Sequence, residues 1–174
     1  DPEKTVFWRK RLAEISSRPK IGINWRSMRV INKWRHFYAT PDELAPVISV
    51  PGVDFVNLTH DVTDDELAEF EKLYGTKLLV WDDIDMKDNM DGFAALISSL
   101  DMVVSCLSYV TEMSGALGIP TLGFIGERKN HHMLGTGDAI WYPSTKYFAK
   151  NRDESWQPVF EGMAREIRRS LALS

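Results

Sequence analysis

The stretch SCLSYVTEMSGALGIPTLGF, Ser105 to Phe124, carries the residues best placed for chemistry. It reads as a strand end, a short turn, a helix, Gly-Ile-Pro and the next strand. Ser108 is a good N-cap, and a capped helix start presents free N–H groups and the positive end of its dipole, which together seat an anion. Glu112 lies in the early turns of the same helix, where its charge would repel a phosphate. The macrodipole alone favours an acid there by ~0.3–1 kcal/mol. A carboxylate can also accept hydrogen bonds from two neighbouring hydroxyls.

Two charged loops belong to the same question. Arg26 to Ala39 is basic, with Arg26, Arg29, Lys33, Arg35 and His36. Set against a helix N-terminus it would make a diphosphate clamp; a solvated loop beside an ordinary capped helix explains the same residues. The acidic run Asp82, Asp83, Asp85, Asp88 and Asp91 could hold a divalent cation, but a solvated loop leading into a helix N-terminus explains it better. Cys106 sits near the helix start, where a thiol can be activated, yet a buried core cysteine is the commoner outcome. His131 and His132 with Glu127 do not make a metal centre, since adjacent histidines on an extended stretch point apart and no spaced third ligand follows. No resident metal or cofactor is expected. No Gly-x-Gly-x-x-Gly, Walker A or Gly-x-Ser-x-Gly sequence occurs, which argues against a dinucleotide dehydrogenase, a P-loop NTPase and an α/β-hydrolase.

These residues must be positioned by an alternating series of elements. An amphipathic lead-in helix over residues 1–18 carries Trp8, Leu12 and Ile15 at helical spacing. Strands follow at KIGINW (Lys20–Trp25), VDFVNLT (Val53–Thr59), KLLVWD (Lys77–Asp82), MVVSCL (Met102–Leu107) and PTLGFI (Pro120–Ile125). Helices between them start at the capping boxes Thr40/Glu43 and Thr63/Glu66, after the acidic loop, and at Ser108. In the last of these, Val110, Met113 and Leu117 should face the sheet. Residues 126–149 read as a long loop with short extended pieces. A closing helix over 155–172 lines up Trp156, Val159, Phe160, Met163 and Ile167. Continuous apolar strands alternating with helices predict an α/β fold, a three-layer Rossmann-like domain with a mainly parallel sheet. In such sheets ligands bind beyond the carboxyl ends of the strands.

The 174 residues make one domain-sized unit, spanning 1–174 and able to bury a real core. A net charge of -4 gives no bulk attraction to nucleic acid or an anionic membrane, and no apolar run is long enough for a membrane span. The single cysteine, Cys106, excludes an internal disulfide and suits a reducing, cytoplasmic compartment. The chain begins at Asp1 without a visible signal peptide and reads as a piece of a longer protein.

The phrases KIGINWRS, GVDFVNL, MKDNMDGFAALISSLDMVVS, GALGIPT and WYPSTKYF occur in this order across nearly the whole chain. Together they resemble the C-terminal half of bacterial glycosyltransferases of the heptosyltransferase class, more closely those fused behind tetratricopeptide repeats. The resemblance implies the GT-B fold, two Rossmann-like domains with the active site between them, of which this chain is the half that binds the nucleotide-sugar donor. The implied partners are a nucleotide-sugar, an N-terminal domain that holds the catalytic base, and tetratricopeptide repeats of the same polypeptide. TEMSGALGIP resembles the Ser-Glu or Thr-Glu pair of some GT-B members, whose carboxylate holds the donor ribose. On this resemblance Arg26, Lys33 and Arg35 neutralise the leaving diphosphate. Ser108 and the N–H groups of Tyr109 and Val110 bind its oxygens. Glu112 holds ribose, and Asp82, Asp83 and Asp85 flank the base. The heptosyltransferase pattern at this turn is Asp-Thr-x-x-x-His; here Leu107, Ser108 and Glu112 stand in those places. That substitution leaves open a sugar-nucleotide-binding or scaffolding domain without catalysis.

Overall fold

The computed structural model describes residues 1–27, 32–126 and 140–173, without the side chains of residues 32–34. Its centre is a five-stranded parallel sheet in the order β2-β1-β3-β4-β5. The strands are β1 (Lys20–Asn24), β2 (Asp54–Asn57), β3 (Met102–Cys106), β4 (Thr121–Ile125) and β5 (Thr145–Ala149). The helices are α1 (Pro2–Ile15), α2 (Ala45–Ile48), α3 (Asp64–Tyr74), α4 (Met90–Ile97), α5 (Tyr109–Ala116) and α6 (Gln157–Ser170).

Side chains that alternate along the strands build two cores. Ile21, Ile23, Phe55, Val104 and Phe124 meet α2, α3 and α6 on one face. Val56 and Val103 meet α1, α4 and α5 on the other, through Trp8, Leu12, Phe93, Leu96 and Val110. The expected α/β three-layer architecture is therefore present, and the sheet is wholly parallel among the described residues. The predicted inner face of α6 is buried throughout, from Trp156 to Ile167.

Four local expectations are corrected. The run KLLVWD forms a single parallel bridge, Val56 to Leu79, rather than a strand. Leu79 exchanges backbone hydrogen bonds with Phe55 and Asn57. The chain then leaves the edge because Trp81 packs edge-on against Trp8, 5.1 Å between centroids, under the Arg11 guanidinium. Residues 145–149, expected as no more than a short extended piece of a long loop, are a full sheet strand, β5, whose burial alternates as an edge strand's does. In α5, Leu117 caps the helix and is 40% exposed; Thr111, Ser114 and Gly115 turn inward beside Val110. At Thr40, Glu43 accepts from the Thr40 N–H at 2.9 Å, but Pro41 leads into a 3-10 turn and no reciprocal cap forms. The second box does form, with Thr63 capping Glu66 N–H and Glu66 accepting from Thr63 N–H. Gly75 ends that helix at φ 62, a left-handed position suited to glycine.

α6 is tied to β5 by Glu166, which accepts from Lys146 at 2.9 Å and from Arg169. Their hydrogen bonds draw the Glu166 carboxyl down to about 2. A depressed carboxyl stabilises the fold above its unfolded pKa, and that gain disappears as pH falls through the folded value. Lys146 and Arg169 are 57% and 74% exposed, so water limits the gain to about 0.5–1 kcal/mol. The stability gap between the native chain and Glu166→Gln, from urea midpoints, should be constant near neutral pH. It should close between about pH 4.5 and 2.

Candidate functional site

The order of strands reverses between β1 and β3, since the chain runs outward from β1 to β2 and returns on the other side of β1. Crevices outside the carboxyl ends of the strands at such a reversal are where open α/β sheets bind ligands. Asn24 of β1 and Ser105 of β3 are register partners at that reversal. The Asn24 amide is buried and donates to Ser105 Oγ at 3.0 Å and to Ser108 Oγ at 2.9 Å. Ser108 caps α5 as expected, its Oγ also accepting from Val110 N–H at 3.3 Å. With two N–H groups on its oxygen, the Ser108 hydroxyl is left to donate; inside the fold its acceptors are Ser105 Oγ at 3.5 Å and the Cys106 sulfur, with which a ligand oxygen would compete. Thr111 Oγ1 donates to the Cys106 carbonyl at 2.6 Å, fixing the first turn to the strand end. Cys106 is fully buried and burial pushes its thiol up to about 12, so it is a core residue here.

The other expected residues are spread around this centre. Arg26 lies nearby but is engaged: it donates to both Glu66 oxygens, at 2.7 and 2.5 Å, and to the Asp61 carbonyl at 3.0 Å. Burial pushes the Glu66 carboxyl up, but the Arg26 hydrogen bond and the Thr63 cap outweigh it and leave it lowered. Arg35 is exposed and, with Arg26, lines a cavity of about 680 Å³ on the α6 side of the sheet. Arg29 and His131, His132 and Glu127 lie outside the described residues, as does the Lys33 side chain.

Asp82, Asp83 and Asp85 line a hollow with His60 and Asp61 beyond β2. Asp83 is paired with Arg11 at 2.6 Å. Asp85 accepts from the N–H groups of Lys87 and Asp88, both at 2.8 Å, and so shapes the turn. Tyr109, 40% exposed, covers the near edge by donating to the Met86 carbonyl at 3.3 Å. Val110 is buried, and its N–H is taken by Ser108. Among the described residues no group of three or more His, Cys, Asp or Glu side chains could hold a metal ion.

Glu112 faces β5 rather than the basic loop. The Tyr142 hydroxyl hydrogen-bonds to it; burial first, then this bond and the carboxylate charge, raise the tyrosine pKa. Tyr147 lies in the same field and is pushed up to about 12, mainly by burial. Tyr142 is seated against Gly115, where a Cβ would meet its ring at 2.6 Å. The sequence reading missed Asn24, whose only signal was a polar residue ending an apolar strand, and Tyr142, which carried no local signal.

No family model matches the chain. It is 16% identical to the ADP-heptose lps heptosyltransferase II of E. coli, with a TM-score of 0.62 over 99% of this chain and 52% of that one. A second likeness, TM-score 0.53 at 15% identity, is to a Listeria monocytogenes protein assigned as a UDP-N-acetylglucosamine 2-epimerase, covering 95% of this chain and 38% of that one. The chain thus has the Rossmann-like α/β fold of GT-B glycosyltransferases. In sequence it is 30% identical over 169 residues to Protein FlbA of Caulobacter vibrioides, covering 97% of this chain and 28% of FlbA. The chain therefore spans a little over a quarter of that curated relative. No described helix is long and apolar enough to cross a membrane.

Proposed function

We propose that this chain is the donor-binding domain of a glycosyltransferase that uses a nucleotide diphospho-sugar. The observation that carries the reading is the α5 start at the strand-order reversal, where the Ser108 oxygen is held by Asn24 and Val110 N–H so that its hydroxyl can act only as a donor. The likeness in fold to a heptosyltransferase supports it. In the reaction the bond from the anomeric carbon to the diphosphate breaks as an acceptor hydroxyl attacks that carbon. The departing diphosphate gains charge, which fixed donors in a closed cleft stabilise. Ser108 and the Tyr109 N–H would bind its oxygens. Arg35, for which no ion pair occurs among the described residues, would supply charge, with Lys33. The base that takes the acceptor's proton would come from a further GT-B domain outside this chain, and tetratricopeptide repeats would be further parts of the same polypeptide.

Glu112 keeps acceptor capacity beyond its Tyr142 bond, because a carboxylate has about four lone-pair sites. In this reading it holds the ribose hydroxyls. Calorimetry of the 174-residue chain with UDP, ADP and GDP in the presence of chelator should show weak binding of one nucleotide and no transfer. Absence of binding at millimolar concentration refutes the donor site. Glu112→Gln should weaken the nucleotide by about 1–2 kcal/mol, the cost of replacing a charged acceptor. The loss should vanish for a 2′,3′-dideoxy nucleotide. Equal losses for both nucleotides would leave Glu112 as a partner of Tyr142 only.

A further inference from the structure

The cavity of about 680 Å³ on the α6 side is lined by two residues, Lys150 and Trp25, that the proposed nucleotide site does not use. Lys150, just past the end of β5, lines it and is 4% exposed. Its ammonium donates to the carbonyls of Asn151 at 3.4 Å and Arg152 at 3.1 Å and lies 4.8 Å from the Trp156 ring centroid. Among the described residues no carboxylate is ion-paired with it; Glu43, Glu154 and Asp153 act on it only at longer range. Lacking a direct ion pair, the buried ammonium is compensated only by those longer-range carboxylates, and a bound anion would add a direct counter-charge. Trp25 lines the same cavity, is 1% exposed, and its buried indole N–H has no hydrogen-bond partner. Buried indole N–H groups normally find one. The exposed Arg152 stands at the rim, with no ion pair among the described residues.

We propose that this cavity binds the carboxylate or phosphate of a small polyhydroxylated anion, a sugar acid or a sugar phosphate, at a site beside the α5 seat, with Arg35 on its wall. Lys150 supplies the buried charge, Trp25 a neutral donor and Arg152 the rim charge. Glu43 and Glu154, on the same wall, accept from ligand hydroxyls. The indole N–H is covered in the unliganded chain, so a ligand reaches it only once the groups packed over it shift. The inference does not depend on the nucleotide reading.

The test is titration of the 174-residue chain with glucuronate, glucose 6-phosphate, inorganic phosphate and neutral glucose, followed by the tryptophan indole N–H signals in nitrogen-edited NMR. Binding of glucuronate alone identifies a sugar acid, and binding of glucose 6-phosphate with or without phosphate identifies a phosphate group. In each case one indole signal should move, and Trp25→Phe should delete that signal. Arg152→Gln, a surface change that keeps the fold, should weaken the bound anion about 3–10-fold, and Lys150→Gln about 30-fold or more, as expected for losing charged hydrogen bonds. Affinity for a nucleoside diphosphate should be unchanged in Arg152→Gln. The proposal is overturned if no anion binds at tens of millimolar. It is equally overturned if glucose binds as well as the anions, if the Trp25 signal stays fixed at saturation, or if Arg152→Gln binds as tightly as the native chain.

Discussion

Replacing Gly126 by alanine is expected to destabilise the chain by about 2–3 kcal/mol, the range of overpacked sites with little room to relax. For a domain of this size that is a fall in melting temperature of roughly 4–12 °C. Gly126 follows β4 and is buried beneath the backbone of the loop that returns from β1. A Cβ there would strike the His36 carbonyl oxygen and come within 3.0 Å of both the His36 carbonyl carbon and Phe37 Cα. Side-chain ends could rotate away, but backbone cannot. The loop would have to lift, and its next residue, Tyr38, receives the Trp156 indole N–H at 3.1 Å. The change should therefore show in tryptophan fluorescence as well as in the melt. Gly75→Ala is the comparison: nothing lies within 4 Å of its Cβ, so only the left-handed φ of 62 is disfavoured. Its cost should stay near ~1 kcal/mol. If Gly126→Ala costs no more than Gly75→Ala, the loop is not held against β4.

The steric block at Gly126 also shows what local pattern cannot express. Apolar runs and caps located β1 to β4 and all six helical regions, because periodicity and capping are properties of neighbouring residues. The failures occurred where distant residues decide. KLLVWD has a strand's composition, yet Trp81 gains more against Trp8 and Arg11 of α1 than by continuing along β2. Its one bridge at Leu79 still lies on the outer edge of β2, where the Rossmann order 3-2-1-4-5-6 has its third strand. TKYFA was hidden because only one face is buried, at Thr145 and Tyr147, and because it follows a long irregular stretch, yet it pairs with all of β4. At the site, Ser108 was visible as a cap. That Arg26 is committed to Glu66, and that Glu112 faces Tyr142, depends on contacts 40 and 30 residues apart in sequence, which no local rule reaches.

Asn24 should prove the residue on which the α5 start depends most. Asn24→Leu keeps the approximate shape but removes the amide that reaches Ser105 Oγ and Ser108 Oγ. Two hydroxyls then face an apolar group. Ser105 keeps its bond to the Cys106 carbonyl at 2.8 Å, so the main loss falls on Ser108. A cost of about 2 kcal/mol is expected, within the 1–3 kcal/mol of leaving a buried polar group unsatisfied. That corresponds to roughly 4–8 °C in melting temperature. The second substitution, Asn24→Asp, separates stability from binding. Its carboxylate accepts where the amide donated, so the Ser108 hydroxyl proton turns inward to meet it. Ser108 then offers a ligand no donor, and a negative charge lies behind the anion seat. A nucleoside diphosphate should bind at least ~10-fold more weakly, which is about 1.4 kcal/mol. The parent nucleoside, which has no phosphate, should bind as before. In a Ser108→Ala background the part of the Asn24→Asp effect carried by the hydroxyl should disappear, leaving only the repulsion, which added salt screens. If Asn24→Asp weakens nucleoside and diphosphate equally, Asn24 supports the fold alone. If it weakens neither, the phosphate does not sit at α5.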